Sequence, residues 1–281
     1  MAQKFAVIGH PIGHTMSPFI HKRLFELSGI DVEYSAIDIA PEDLENAISG
    51  QLSALDGFNV TIPHKELIIP FMDHIDESAS KYNAVNCVKR ENGKLLAFST
   101  DAFGFTEALK ANGVALKGNV LILGSGGAAR TLAREAADNG CNVTIAVRLA
   151  DLEKAAELKE WLIENGGKAT VARIETVHGD FDLLINATPV GMYPNSDAMP
   201  IDKSQLMCCK ALFDAVYNPK KTKLIKTAEE LKIKTVGGMA MLVWQAVKGH
   251  EYWYGAKFSN EQIGKLIEDA SLEMEKIFYE K

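Results

Sequence analysis

The stretch Asn59-Val60-Thr61-Ile62-Pro63-His64-Lys65 packs an amide, a hydroxyl and an amine at the end of an apolar run. Gly57 to Ile62 reads as a strand that Pro63 ends, with a helix beginning around His64-Lys65-Glu66. Strand alternation turns Asn59 and Thr61 to the same side. Lys65 then opens a helix, where the dipole opposes a positive charge. That is an awkward place for a solvated lysine and a useful one for a catalytic lysine. Most lysines are surface residues, so the plain reading stands beside the catalytic one. Asp101 falls near a boundary between two cycles of strands and helices, where α/β proteins place ligands. Asn86 is expected at the end of another short strand, a position that also suits an ordinary turn former.

A second constellation would hold a cofactor. Val120-Leu121-Ile122-Leu123 is a short apolar strand, and an alanine-rich helix runs on to about Asn139. Between them lies Gly124-Ser125-Gly126-Gly127-Ala128-Ala129. Glycines at 124 and 126 permit a tight turn and let the backbone approach a pyrophosphate at the helix N-terminus. Ala129 is small enough for close helix–sheet packing. The strand–loop–helix setting favours dinucleotide binding over a merely structural turn. The next strand, Val143 to Val147, ends at Arg148, which suits the 2′-phosphate of NADP. Asp151 follows and could instead bind the ribose hydroxyls of NAD, and a solvated Arg148 is the plain alternative.

The elements that must position these groups alternate. Strands are expected at Phe5–Ile8, Val32–Ile37, Gly57–Ile62, Ala84–Val88 and Lys94–Ser99, the last two around the Glu91-Asn92-Gly93 turn. A helix should follow Ser17 as N-cap and Pro18 as first helical residue, and another should span Pro41 to Ile48. Phe103 to Asn112 is helical, and further strands fall at Leu183–Asn186, Ala211–Val216 and Lys234–Val236. From Met241 the chain is mostly helical, ending in an amphipathic stretch from Glu261 to Phe278. Strand–helix alternation implies βαβ units and a mostly parallel sheet.

Composition narrows the class. The 281 residues allow two domains, and 47% hydrophobic with 24% charged residues is ordinary for a folded protein. A formal charge of −7 argues against broad binding to nucleic acid or anionic membrane. No apolar stretch approaches a membrane span, and the N-terminus enters a strand at once, so a cytoplasmic protein without signal peptide is expected. The four cysteines form no CxxC pair. His10 and His14 have helical spacing, but Pro11 and Gly13 intervene, so no metal site is expected. Trp161, Trp244 and Trp253 lie on expected helices as packing residues.

Taken in order, the motifs resemble the shikimate dehydrogenase family over essentially the whole chain. They are Gly13-His14-Thr15-Met16-Ser17-Pro18, Asn59 through Lys65, Asn83-Ala84-Val85-Asn86-Cys87 and Ser99-Thr100-Asp101-Ala102-Phe103-Gly104. Gly124 to Ala128, Asn186 to Met192, Asp214 to Pro219 and Met241 to Gln245 continue the series. The resemblance implies reversible NADP-dependent reduction of 3-dehydroshikimate to shikimate in aromatic amino-acid biosynthesis. It implies an α/β substrate domain over 1–102, a Rossmann-like domain over 103–238, and helices over 239–281 packing back on the first domain. It assigns Lys65 and Asp101 as the catalytic pair and Thr15 and Ser17 to the substrate carboxylate. It gives ring hydroxyls to Asn59, Thr61, Asn86 and Gln245, and substrate orientation to Tyr217. Gly124, Ser125, Gly126, Gly127, Ala128, Arg148, Thr188, Ala215 and Gly238 would hold the cofactor. The small-molecule substrate is the one expected partner, and the family pattern allows a monomer or a homodimer.

Departures from the pattern sharpen the alternatives. Thr15 replaces a serine and adds a methyl at the carboxylate site, which bears on acceptance of quinate. Asn83 stands where glycine is usual, though Asn tolerates positive φ. Only Arg148 survives of the phosphate motif, flanked by Val147 and Leu149, so NAD stays open beside NADP. Two rivals follow: a broader quinate/shikimate dehydrogenase, and a ligand-sensing protein on the same scaffold. The presence of both Lys65 and Asp101 speaks against the second.

Overall fold

The apolar run near the N-terminus forms β1 (Gln3–Gly9), which pairs parallel with both β2 (Val32–Asp38) and β3 (Gly57–Val60). The computed structural model describes residues 3–13 and 15–279; His14, weighed above as a metal partner of His10, lies outside the described residues. Parallel neighbours need crossovers. These are α1 (Ser17–Ser28) and then α2 (Leu44–Ser49), which follows a single 3-10 turn at Pro41–Asp43. The chain continues through α3 (His64–Leu67), β4 (His74–Ile75) and α4 (Glu77–Ser80). β5 (Cys87–Glu91) and β6 (Lys94–Phe98) form an antiparallel hairpin, and β5 runs antiparallel to β3. The sheet order is β2-β1-β3-β5-β6-β4. Ile8, Leu52, Phe58, Ile68, Val85 and Val88 lie in its core. Each such side chain stabilises the fold by roughly 1.5–3 kcal/mol when fully buried.

The second sheet follows α5 (Asp101–Ala111). It holds β7 (Asn119–Leu123), β8 (Asn142–Val147), β9 (Lys168–Arg173), β10 (Leu183–Asn186), β11 (Ala211–Asp214) and β12 (Lys234–Gly237). All its pairings are parallel, in the order β12-β11-β10-β7-β8-β9. That is the doubly wound Rossmann order, reversing between β7 and β10. Its crossovers use α6 (Gly127–Asp138), α7 (Leu152–Glu164), α8 (Lys203–Leu206) and α9 (Lys223–Glu230). The chain ends in α10 (Gly238–Tyr254) and α11 (Asn260–Tyr279). Among the described residues, no helix is long and apolar enough to cross a membrane, and no group of three or more His, Cys, Asp or Glu could hold a metal.

Contacts divide the chain into two units, Met1–Asp101 with Gln245–Ala270, and Ala102–Trp244 with Ser271–Lys281. The later division falls inside α10, between Trp244 and Gln245. No glycine or proline marks that point in the helix, so local sequence carries no signal of it.

Local expectations shift in three places that bear on the site. Ser17 is the first residue of α1, and Met16 is the N-cap without a side-chain bond. β3 stops at Val60, so Thr61 lies beyond the strand. Asn86 precedes β5 where the end of a strand was expected. β9 gave no clear signal because only a polar edge strand was needed there; its residues are exposed or half-buried.

Candidate active site

Lys65 is the second residue of the four-residue helix α3. Its carbonyl accepts a hydrogen bond from Val85 N at 2.8 Å, which ties α3 to the turn before β5. Its Nζ reaches Asp101 Oδ2 at 2.5 Å, with side chains 29% and 15% exposed. Asp101 opens α5, where the dipole favours a carboxylate. Both its oxygens are engaged, because Asn86 Nδ2 donates to Oδ1 at 2.8 Å.

Asn86 is the hub of this arrangement. Its Nδ2 also reaches Thr100 Oγ1 at 3.0 Å and Gln245 Oε1 at 3.3 Å. Its Oδ1 accepts from Thr100 N at 2.8 Å. The Thr100 hydroxyl is in turn 3.1 Å from Gln245 Oε1. Asn86, Thr100 and Gln245 are all buried, and their mutual bonds offset the cost of that burial. Asn59, also buried, donates from Nδ2 to the carbonyl of Asn86 at 3.2 Å. The first unit thus gathers Lys65, Asp101, Asn86, Gln245 and Asn59 from five separate segments.

Thr15 and Ser17 stand together before α1. Thr15 Oγ1 donates to Ser17 Oγ at 3.1 Å and accepts from Ser17 N at 3.2 Å. The Ser17 hydroxyl is therefore turned to Thr15 instead of capping the helix. The loop leading to them is tied at His10, whose Nδ1 meets Asp38 Oδ1 at 2.6 Å. That bond holds the Asp38 carboxyl below its ordinary range. Thr61 is half-buried beyond β3, and its N–H donates to the Ile8 carbonyl at 2.9 Å. Asn83 adopts φ +52°, the conformation its residue type allowed.

The second unit carries the nucleotide fingerprint. Gly124, at φ +104°, turns the chain off β7 with its N–H donating to Ala146 O at 3.0 Å. Gly126 caps α6 with no side-chain bond, so the first-turn amides of a twelve-residue helix face outward as an anion site. An added Cβ at Gly126 or Gly127 would meet no heavy atom within 4 Å, so space is open beside both, and Gly126 lines a cleft. That cleft holds about 490 Å³ and is lined by residues including Gly124, Ser125, Gly126, Arg148, Asp151 and Thr188. The donors and the space fit a dinucleotide. Ala128 follows inside the first turn of α6.

Arg148 is already engaged. Its Nε and Nη2 lie 3.0 and 2.9 Å from Asp151 Oδ2. Lys154, on the first turn of α7, also lines the cleft; the fingerprint did not single it out. Thr188 is held by its own turn, donating from N and Oγ1 to Asn186 Oδ1 at 3.1 and 2.6 Å. Asn186 Nδ2 donates to the buried Asp214 at 2.9 Å, and Thr222 Oγ1 donates to the same carboxylate at 2.6 Å. Burial pushes the Asp214 carboxyl up. Ala215 N donates to Asn186 O at 2.9 Å. A Cβ on Gly238 would clash with the carbonyl oxygen of Ala215, so glycine lets α10 start against the end of β11. Tyr217 follows β11 half-buried, with burial pushing its hydroxyl up.

Sequence reasoning missed Thr100, Asp214, Thr222 and Tyr34 as organising groups. Thr100 and Asp214 lay inside quoted motifs, which was the available signal. Tyr34 had none, being one residue of an alternating strand.

Comparison with known proteins finds relatives along most of the chain. Residues 7–88 match the family model described as the shikimate dehydrogenase substrate binding domain. The NADP(+) shikimate dehydrogenase of Methanococcus maripaludis is 38% identical over 257 residues, covering 89% of this chain and 91% of that protein. That of Bacillus subtilis is 36% identical, covering 95% and 97%. A crystal structure of shikimate 5-dehydrogenase from Thermus thermophilus, in complex with NADP(H) and shikimate, superposes with a TM-score of 0.84. It is 33% identical and covers 95% of this chain and 99% of that one.

Proposed function

The chain belongs to the shikimate dehydrogenase family, and we propose that it catalyses the reversible NADP-dependent reduction of 3-dehydroshikimate to shikimate, on the route to chorismate and the aromatic amino acids. The observation that carries this reading is the Lys65–Asp101 pair at 2.5 Å, braced by the buried Asn86–Thr100–Gln245 cluster. Bound nicotinamide supplies the hydride or accepts it. The chain's task is to move the matching proton. Lys65 Nζ stands on the reacting oxygen, and Asp101 aims it through the ion pair. The hydrogen-bonded pair as a whole delivers the proton in reduction and takes it in oxidation.

Substrate binding falls to the neighbouring polar groups. Thr15 and Ser17 take the carboxylate through their adjacent hydroxyls. Asn59, Thr61, Asn86 and Gln245 take ring hydroxyls. Tyr217, in the second unit, helps to orient the substrate. The amides and glycines from Gly124 to Ala128 would receive the pyrophosphate, and Arg148 the 2′-phosphate. Thr188, Ala215 and Gly238 complete the cofactor-binding set. In the same reading the chain works in the cytoplasm as a monomer or homodimer.

A second reading is a broader quinate/shikimate dehydrogenase that also accepts NAD; its NAD part is favoured by Asp151, whose carboxylate lines the cleft and engages Arg148. The deciding experiment is a set of initial rates with shikimate and quinate, each with NADP and NAD. A kcat/KM preference for shikimate with NADP is expected. Comparable rates with quinate or NAD would move the protein to the broader reading, and no turnover with either acid would remove both.

A further inference from the structure

The reaction leaves a group of polar rings in the first unit unused. His21 on α1 and His250 on α10 are buried and meet at 3.1 Å between Nδ1 and Nε2. The His21 ring lies flat against that of Tyr34, with centroids 4.5 Å apart and planes 6° apart. The Tyr34 hydroxyl donates to Asn59 Oδ1 at 2.7 Å.

These contacts determine which way the Asn59 amide faces. A carboxamide has an accepting end and a donating end that differ by a flip. The carbonyl of Asn86 can only accept, so it requires Asn59 Nδ2 at its 3.2 Å contact. The oxygen end then faces Tyr34, which must donate. Both ends of the amide are thus held, with one lone pair and one hydrogen left over. His21 does not compete for the tyrosine proton. It lies on the ring face with its nitrogens in its own plane, and its Nδ1 is engaged by His250. Burial first, and Cys87 second, push the Tyr34 hydroxyl up from its ordinary range, so it keeps its proton.

We propose that Tyr34 is a positioning residue for substrate recognition: its hydroxyl presets the Asn59 amide that reads a ring hydroxyl, and the His21–His250 pair backs its ring. The inference rests on the reading that Asn59 binds a substrate hydroxyl. Tyr34 touches no reacting atom in this role, so its loss shows in substrate affinity and not in the chemical step.

The test is a double-mutant cycle on the full enzyme with Tyr34→Phe and Asn59→Ala, reading shikimate KM, kcat, NADP KM and the calorimetric dissociation constant of shikimate. Tyr34→Phe should weaken shikimate roughly five-fold, the worth of one hydrogen bond. It should leave kcat within about two-fold and NADP KM unchanged, the mark of lost uniform binding. In the Asn59→Ala background it should add nothing. An unchanged shikimate affinity, an equal further loss on top of Asn59→Ala, or a fall in kcat with affinity spared would overturn the proposal. If Asn59→Ala alone leaves shikimate affinity intact, the reading of Asn59 fails first and the inference goes with it. Should Asn59→Ala not fold, shikimate analogues each lacking one ring hydroxyl replace it. The Tyr34→Phe loss should vanish for one analogue, and a loss equal across all of them would overturn the proposal.

Discussion

Lys65 Nζ and Asp101 Oδ2 stand 2.5 Å apart, although 36 residues separate them in the chain. Each sits near the start of its helix, and Asn86 holds the second oxygen of the carboxylate. An amine held this way is fixed in place, with its other N–H groups left to meet a substrate oxygen. Lys65→Ala should therefore lower kcat by about 10²- to 10⁴-fold, the usual worth of positioned proton transfer. Shikimate KM should change only a few-fold. A kcat within a few-fold of wild type would show that Lys65 is not the proton-transfer group.

Arg148 and Asp151 set the second prediction. Arg148→Gln should raise NADP KM by roughly 10- to 100-fold, since hydrogen bonds to charged groups are worth about 1.5–3 kcal/mol. NAD KM should move little. Asp151→Asn removes the carboxylate that engages Arg148, so NADP should gain over NAD. Competition assays with both dinucleotides measure the ratio, and an equal change for both would separate Arg148 from the 2′-phosphate.

Gly238 predicts a stability effect. A methyl at Gly238 would press on the carbonyl oxygen of Ala215, and the obstructing atom is backbone. Gly238→Ala should destabilise the fold by about 1–3 kcal/mol, the usual cost of overpacking. Urea unfolding should register this as a lower midpoint. An unshifted midpoint would mean that α10 can move away from the end of β11 without cost.

The buried histidines predict acid sensitivity. Burial pushes His250 down to about 3, and burial and then His250 push His21 well below its ordinary range. Both are neutral in the folded chain, while the unfolded chain charges them below about pH 6.5. The unfolded state then binds more protons, so stability is fully present above pH 6.5 and is lost as pH falls toward 3. Each group that must charge contributes a slope of about 1.4 kcal/mol per pH unit inside that window. His250→Phe should flatten the fall of the thermal midpoint between pH 6.5 and 4. An unchanged slope would place the acid sensitivity elsewhere.

Much of this protein was legible from its residues alone. The apolar run Val120 to Leu123 with glycines directly after it announced the nucleotide cradle, because turn chemistry and strand length act within a few residues. The hairpin over Asn92-Gly93 and the positive φ of Asn83 were local facts of the same kind. The motif around Lys65 marked a candidate base or acid, but not its surroundings.

Tertiary structure decided the partners. Asn86 and Gln245 meet across 159 positions, Thr100 and Gln245 across 145, and His21 and His250 across 229. No periodicity encodes such meetings. They arise when packing brings distant segments together and each buried polar atom must find a partner there. The same requirement turned Ser17 toward Thr15 and away from its expected cap, and set Tyr34 against Asn59. Local chemistry determined which groups this chain possesses. Burial, acting between segments far apart in sequence, determined which of them face one another.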